Sequence, residues 1–335
     1  MMKEKPVVAV LLPPRVRPEF LPPWLEKKLR SFAQPVMPEA DESKEEMLKL
    51  LPASDGCLTS WASPRLSVED LGKAPKLRII THAAGTIRPY VPIEAFERGI
   101  VVTSAAGVIA TYVAEMTLAL AVVLLRRAVQ HDRAMREKRT WGDEALRQDT
   151  DSLIRTRVGL VGFGRVAREF VRLLRPFRSE VLAFDPYASA EVATMLRVRL
   201  TSLQELMSQC RVVSIHAANL PQTRGLVGKK ELALLQDGAV LINTARGAVV
   251  DQQALIEELR KGQIWAALDV FDPEPPPPDS ELRDLPNVVL TPHIAGPAAE
   301  RRWELTAHAV EQLRRFFSGK PPMDQVTKGM LDWTA

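Results

Sequence analysis

The chain has 335 residues, of which 46% are hydrophobic and 26% are charged, with 45 basic and 41 acidic side chains. This length predicts about two domains, and the hydrophobic fraction excludes disorder for most of the chain. The net charge of +4 is small and the arginines are scattered, so the composition indicates no nucleic-acid-binding stripe.

Cysteine usage and hydropathy favour a cytoplasmic protein. Cys57 and Cys210 show no metal-ligand spacing and are typical of reduced structural thiols. No signal peptide is predicted, since the first apolar run is short and prolines follow it. The most apolar stretch, 118–125, is much shorter than the roughly 20 residues of a membrane span and is predicted to be a buried helix. We therefore expect neither a metal nor a membrane partner.

The first hundred residues alternate between strand and helix patterns, which favours an α/β fold with a parallel sheet. The predicted strands are 7–12, 57–61, 77–84 and 100–105, and the predicted helices are 24–32 and 44–50. A long helical pattern, 111–138, follows and is predicted to connect two domains.

A second alternation begins with VGLVG and indicates another open sheet. Parallel strands require crossover connections, which the helical patterns between these strands supply. The predicted strands are 158–162, 180–185, 212–217, 239–245, 264–271 and 287–292, and a final helix is predicted at 298–318.

The segment VGLVGFGRVARE has the spacing Gly162-x-Gly164-x-x-Ala167 between a predicted strand and a predicted helix. Gly162 permits a tight turn, Gly164 lets a pyrophosphate approach the backbone, and Ala167 lets the helix pack closely on its strand. Asp185 lies 21 residues after Gly164, where an acid that binds the ribose hydroxyls is expected. Its charge would repel a 2′-phosphate, so NAD is predicted rather than NADP. The alternative is a glycine turn with a helix-capping aspartate.

Three polar residues lie in or after late strand patterns. Arg246 follows LINTA, Glu274 lies in the loop after the AALDV strand, and His293 follows NVVL in the segment TPHIAG. Because ligands bind at the carboxyl ends of parallel strands, the three side chains are predicted to converge. An arginine can bind a carboxylate, a histidine can transfer a proton, and a carboxylate can support the imidazole. Each residue alone is also typical of an ordinary loop.

Several segments resemble the D-isomer-specific 2-hydroxyacid dehydrogenase family, whose members depend on NAD. They are VGFGRVARE, FDPY, LINTARGAVVDQQAL, AALDVFDPEP and NVVLTPHIAG, in the family's order. The resemblance implies an α/β fold in which a Rossmann-type doubly wound parallel-sheet domain, 106–297, is inserted into a flavodoxin-like α/β substrate domain, 1–105 and 298–335.

The resemblance also implies the site residues. The family's catalytic residues fall on Arg246, Glu274 and His293. The expected substrate contacts are Gly85, Thr86, Arg246 and His293. The expected NAD contacts are Gly162, Gly164, Arg165, Val166, Asp185, Ala217, Thr244, Ala245, Arg246, Asp269, His293 and Gly296.

The substrate loop departs from the family pattern. Arg88 and Pro89 stand where an Asp-Asn pair is usual, so the sequence leaves the substrate open. Arg88 is expected either to pair locally or to bind a second acidic group. His82 and His216 are predicted to be structural, and His131 and His308 to be solvated.

The resemblance implies an NAD(H)-dependent oxidoreductase that interconverts a small 2-keto acid and a D-2-hydroxy acid, with His293 as proton donor and acceptor. A homodimer is expected, with helix 111–127 as a possible contact surface. The alternative on the same fold is an NAD-sensing, corepressor-like interaction module. A third hypothesis, oxidation of formate or phosphite, is disfavoured because the extra segments of formate enzymes are absent from this sequence.

Overall fold

The computed structural model describes residues 4–39, 43–139, 141 and 144–333. The backbone divides into two compact units. Unit 1 comprises Met1–Ile109 and Pro297–Ala335, and unit 2 comprises Ala110–Gly296. Unit 1 is therefore assembled from two separate stretches of the chain, between which unit 2 lies in sequence.

Strands and helices alternate through both units. The strands are β1 (Val7–Val10), β2 (Gln34–Val36), β3 (Gly56–Thr59), β4 (Ile79–His82), β5 (Val101–Ser104), β6 (Arg157–Val161), β7 (Glu180–Phe184), β8 (Val198–Leu200), β9 (Val212–Ile215), β10 (Val240–Asn243), β11 (Trp265–Leu268), β12 (Val288–Leu290) and β13 (Gln325–Val326). The helices are α1 (Arg17–Phe20), α2 (Pro23–Phe32), α3 (Lys44–Leu48), α4 (Val68–Gly72), α5 (Glu94–Glu97), α6 (Ala106–Leu125), α7 (Ala128–Glu137), α8 (Glu144–Gln148), α9 (Arg165–Leu174), α10 (Ala190–Met195), α11 (Leu203–Gln209), α12 (Lys229–Leu232), α13 (Gln252–Leu259) and α14 (Trp303–Phe317).

The sheet of unit 1 has the order β13-β5-β4-β3-β1-β2, and only β13 runs antiparallel to its neighbour. The order β2-β1-β3-β4-β5 is that of flavodoxin-like folds. One face packs against the C-terminal helix, where Leu305, Val310 and Leu313 of α14 meet the buried strand residues Leu58 and Ile79. Strands β1, β3, β4 and β5 are almost entirely buried because helices cover both faces of the sheet.

The sheet of unit 2 is wholly parallel, with the order β12-β11-β10-β9-β6-β7-β8. The strand order reverses between β6 and β9, which is the switch point where doubly wound sheets bind ligands. The predicted fold class, with a Rossmann-type sheet and a flavodoxin-like sheet, is confirmed.

The predicted helix 111–138 is wrong as a single element. The chain forms α6 and α7, and Arg127 interrupts them in the left-handed region with a φ of 53°. Arg127 is fully buried, its guanidinium lies over the Trp265 ring at 4.0 Å, and its Nε donates to Asp149 at 2.8 Å. The left-handed backbone at Arg127 directs its side chain into the core. The helical pattern of the sequence does not predict this turn.

Other differences concern short elements and strand ends. The three-residue strands β2 and β8 and the two-residue strand β13 are too short to give an alternating pattern. The strand predicted at 264–271 ends at Leu268, so Asp269 follows it rather than lying within it. The last helix begins at Trp303, after a 3-10 turn at Ala299–Arg301, rather than at residue 298.

Helix α6 is longer than the predicted apolar stretch. By length and composition alone it could cross a membrane, with a mean hydropathy of 2.2 and 44% of its most apolar window buried. Core helices of soluble proteins pass the same test. Its buried residues Leu120, Ala121 and Leu124 pack against Phe163 and Phe170 of unit 2.

Candidate active site

The glycine motif forms the turn between β6 and α9 in unit 2. Gly162 has a φ of 96°, and a Cβ added there would lie 2.6 Å from the backbone nitrogen of Ala217. No side chain fits this turn, because the backbone after β9 is too close. Gly164 precedes α9 and faces open space. Ala167 lies on the buried face of α9.

Asp185 follows β7 beside this turn. Its Oδ2 accepts a hydrogen bond from the Phe163 backbone N–H, and its Oδ1 accepts one from that of Tyr187, both at 2.8 Å. The carboxylate is thus held at the carboxyl edge of the sheet. Arg165 and Val166 form the first turn of α9, and backbone N–H groups at the start of a helix suit a phosphate. These residues fit a dinucleotide with a pyrophosphate and an unphosphorylated ribose.

His293 lies in the loop after β12, in the left-handed region with a φ of 53°. Its backbone N–H donates to the carbonyl of Asp269 at 2.9 Å. Its Nδ1 is hydrogen-bonded to Oε1 of Glu274, while Oε2 of Glu274 accepts from the Phe271 backbone at 3.2 Å. The imidazole is half exposed and oriented by the carboxylate.

Asp269 is fully buried and fixes the loop that carries His293. Its Oδ1 accepts from the Thr291 hydroxyl at 2.6 Å and from the Ile294 backbone at 2.8 Å. Its Oδ2 accepts from the Ala295 backbone at 2.9 Å. Both oxygens of Asp269 therefore hold the loop, and its predicted contact with NAD stays a prediction. Thr291 was not identified from the sequence.

Arg246 follows β10 and is half buried. Its Nη1 donates to the carbonyl of Ala245 at 2.7 Å, and its own carbonyl accepts from the Asn243 side chain at 3.0 Å. Burial lowers the pKa of Arg246, and the charge of Glu274 partly offsets this. Arg246 and Glu274 are therefore close enough to interact, as the sequence predicts.

Gly247 explains how the Arg246 loop approaches the Glu274 loop. A Cβ at Gly247 would lie 2.0 Å from the carbonyl carbon of Phe271 and 2.1 Å from its oxygen. The two backbones touch only because residue 247 has no side chain. Gly247 was not predicted to be a site residue, although its position directly after Arg246 was a usable signal.

The remaining predicted NAD contacts follow the strands of the same sheet. Ala217 is buried after β9, Thr244 and Ala245 follow β10, and Gly296 closes the His293 loop. The Thr244 hydroxyl is hydrogen-bonded to that of Thr117 in α6 at 2.9 Å. All four residues lie at the carboxyl edge of the unit 2 sheet.

In unit 1, the predicted substrate loop follows β4. Gly85 and Thr86 are half buried and Arg88 is exposed. His82, at the end of β4, is hydrogen-bonded through Nδ1 to the Thr59 hydroxyl at 2.9 Å, and burial lowers its pKa to about 3. Its ring lies against that of Tyr90, with centroids 4.6 Å apart. His82 is thus neutral and packed.

The other histidines have structural surroundings. His216 packs against Phe170, and burial lowers its pKa to about 3. The prediction that His308 is solvated is wrong, because the side chain is largely buried in unit 1 and pairs with Asp324 at 3.4 Å. His131 is partly buried on α7.

Comparisons with known proteins identify the family. The family model described as "D-isomer specific 2-hydroxyacid dehydrogenase, NAD binding domain" matches residues 118–295. The chain is 34% identical to a glyoxylate reductase of Korarchaeum cryptofilum, over 87% of this chain and 88% of that protein. The chain belongs to the D-isomer specific 2-hydroxyacid dehydrogenase family. Its unit 2 is the NAD-binding part of this family's fold.

Other family members differ in length. A D-3-phosphoglycerate dehydrogenase of Archaeoglobus fulgidus is 32% identical over 85% of this chain, which spans only 53% of that protein. A solved structure of a Thermus thermophilus protein has 31% identity and a TM-score of 0.75, covering 96% of this chain and 99% of that one. The family resemblance therefore extends to both units.

Proposed function

We propose that the chain is an NAD(H)-dependent oxidoreductase that interconverts a small 2-keto acid and a D-2-hydroxy acid. The observation that carries the proposal is the hydrogen-bonded pair His293–Glu274, with Arg246 beside it, at the carboxyl edge of an NAD-binding sheet. The related proteins described above are named as a reductase and a dehydrogenase, so they give no support to the binding-only alternative.

His293 exchanges the proton of the reaction. Its Nδ1 is hydrogen-bonded to Glu274, so Nε2 is the ring nitrogen left to face a substrate oxygen. In reduction, the keto oxygen of the substrate takes the proton from Nε2, and the carbonyl carbon takes a hydride. When bound, the nicotinamide supplies this hydride, and in the reverse direction it accepts one. The Glu274 carboxylate, hydrogen-bonded to Nδ1, holds the imidazole in the orientation that this proton transfer requires.

Arg246 binds the carboxylate of the substrate. A guanidinium offers paired donors that match a carboxylate and also polarise the neighbouring carbonyl. In unit 1, Gly85 and Thr86 are the predicted substrate contacts, and backbone N–H groups of such a loop suit a carboxylate. Asp185 accepts the ribose hydroxyls and repels a 2′-phosphate, so NADH is preferred to NADPH.

A homodimer and a cytoplasmic location belong to the same proposal. Trp141 is 82% exposed, and Val122 on α6 is also exposed, so both offer apolar surface to a second copy. Cys57 and Cys210 are buried and unbridged, as in a reducing compartment. Sedimentation of the wild type and of a Val122→Glu variant tests the dimer, which the charge should weaken.

The test of the activity is a panel of 2-keto acids with NADH and NADPH, followed by loss of reduced-cofactor absorbance. The proposal expects turnover with at least one 2-keto acid and a preference for NADH. Arg246→Ala should lose most of the turnover while NADH still binds. Tight NADH binding without turnover of any 2-keto acid would overturn the assignment.

A further inference from the structure

Strand β10 ends in a buried asparagine, three residues before Arg246. Asn243 is 1% exposed, and the preceding residues of the strand are apolar and fully buried. A buried amide is stable only where hydrogen bonds replace those that it made to water. The partners of the Asn243 side chain therefore show what the residue does.

Both ends of the Asn243 amide bind the backbone of the Arg246 loop. Its Oδ1 accepts a hydrogen bond from the Ala245 N–H at 3.1 Å, and its Nδ2 donates to the Arg246 carbonyl at 3.0 Å. A backbone N–H can only donate and a carbonyl can only accept, so the orientation of the amide follows from its partners. This position therefore needs a donor and an acceptor on one short side chain, which asparagine has and an aspartate carboxylate lacks.

The carbonyl of Ala245 transmits this constraint to the guanidinium. It belongs to the peptide group that lies between the two hydrogen bonds of Asn243, and it accepts from Nη1 of Arg246 at 2.7 Å. The guanidinium is thus anchored on a carbonyl whose direction Asn243 fixes. Because a guanidinium has five N–H donors, others remain to bind a carboxylate.

The backbone of Asn243 is held independently of its side chain. Asn243 lies opposite Leu268 of β11 and Ile215 of β9, and its carbonyl accepts from the Asp269 N–H at 3.0 Å. The end of β10 therefore stays in the sheet without the amide. A change of the amide acts on the loop that follows the strand.

We propose that Asn243 is a positioning residue, whose side chain holds Arg246 in the conformation that binds the carboxylate of a 2-keto acid. This inference rests on the proposed oxidoreductase function. Donors that are held in place before binding avoid the entropy cost of ordering them. Loss of the amide should therefore lower kcat/KM for the keto acid more than it lowers the affinity for NADH.

The experiment measures kcat/KM for a 2-keto acid that the wild type reduces, together with NADH binding and the melting temperature. Asn243→Asp should lower kcat/KM about tenfold or more while NADH still binds. Asn287→Asp is the matched control, because Asn287 is a buried asparagine of unit 2 whose Nδ2 donates to the carbonyls of Leu259 and Ile264, both at 2.8 Å. The control should lower the melting temperature and keep kcat/KM within about twofold of the wild type.

A double variant tests whether Asn243 acts through Arg246. Arg246→Lys keeps a cation but removes the planar fork that matches a carboxylate. In the Arg246→Lys background, Asn243→Asp should change kcat/KM by no more than about threefold, because residues of one hydrogen-bonded unit are not additive.

With an active wild type, three results overturn the inference. They are a kcat/KM of Asn243→Asp within about twofold of the wild type, an equal loss in Asn287→Asp, and an equal effect of Asn243→Asp in the two backgrounds. If Asn243→Asp does not fold, Asn243→Ala, which removes both hydrogen bonds, is measured in its place against the same criteria. A wild type that reduces no 2-keto acid instead overturns the proposed function.

Discussion

Gly247 and Asp269 fix the positions of the site side chains without belonging to the proton-transfer pair. Gly247 allows the Arg246 loop to touch the backbone of Phe271, and Asp269 holds the loop of His293 through three hydrogen bonds. Both act through the backbone, so their effects on geometry are separable from the chemistry of the side chains that they position.

Gly247→Ala should destabilise unit 2 and reduce activity. The added Cβ would meet backbone atoms of Phe271 at 2.0 Å and 2.1 Å, which cannot move as a side-chain end can. We expect a loss of about 1–3 kcal/mol in the free energy of unfolding, measured by urea denaturation. Gly72→Ala is the control, because nothing lies within 4 Å of its added Cβ. Equal stability of the two variants would contradict the tight approach.

Asp269→Asn should loosen the loop that carries His293. The amide keeps the volume but has one acceptor oxygen, so at least one buried N–H of Ile294 or Ala295 loses a charged partner. Such a loss costs about 1–3 kcal/mol. Steady-state kinetics should show a fall in kcat, with NADH binding retained. A variant with wild-type kcat would show that the loop needs no such support.

At the scale of elements, the break between α6 and α7 depends on a buried cation. Arg127 binds Asp149, donates to the carbonyls of Leu124 and Gly238, and lies over Trp265. Burial lowers the pKa of Arg127, and Asp149 opposes that effect. The side chain joins the end of α6 to two loops and to β11, so it links the helix pair to the sheet.

Arg127→Met should therefore weaken the attachment of α6 and α7. Methionine fills part of the space but leaves the buried Gly238 carbonyl without the Arg127 donor and Asp149 without its cation, at a cost of about 1–3 kcal/mol. Urea unfolding of the variant measures this loss. Arg126→Met is the matched control, since Arg126 is exposed on the preceding position. Similar free energies of unfolding for the two variants would contradict a stabilising role of Arg127.

For the whole molecule, each unit contains a buried neutral histidine, His82 in unit 1 and His216 in unit 2. Burial lowers both pKa values to about 3, from an ordinary value near 6.5. Between these values the unfolded chain binds more protons than the folded chain. The contribution of these two histidines to the free energy of unfolding is therefore fully present above about pH 6.5 and is lost as the pH falls toward 3.

The free energy of unfolding should change with pH by at most about 1.4 kcal/mol per pH unit for each histidine. Free energies of unfolding measured across this range for the wild type and for His216→Phe separate the effect from carboxylate titration. Phenylalanine suits this site, because the described structure gives His216 Nε2 no hydrogen-bond partner. Parallel pH profiles for the two proteins would contradict a buried neutral His216.

The fold and the proposed proton-transfer pair were predictable for physical reasons. Parallel strands between covering helices are continuously apolar, and residues at their carboxyl ends must share one edge, which brings Glu274 to His293. The turn at Arg127 and the short strands β2, β8 and β13 were not predictable. Their formation depends on contacts with distant residues such as Trp265, which a local pattern does not contain.

The most direct test of proton exchange by His293 compares NADH oxidation by the wild type and by His293→Ala, with NADH binding followed by fluorescence. The wild type is expected to reduce a 2-keto acid. His293→Ala is expected still to bind NADH and to lose turnover by about 100-fold or more. Wild-type turnover by His293→Ala would contradict the assignment of His293 as the group that exchanges the proton.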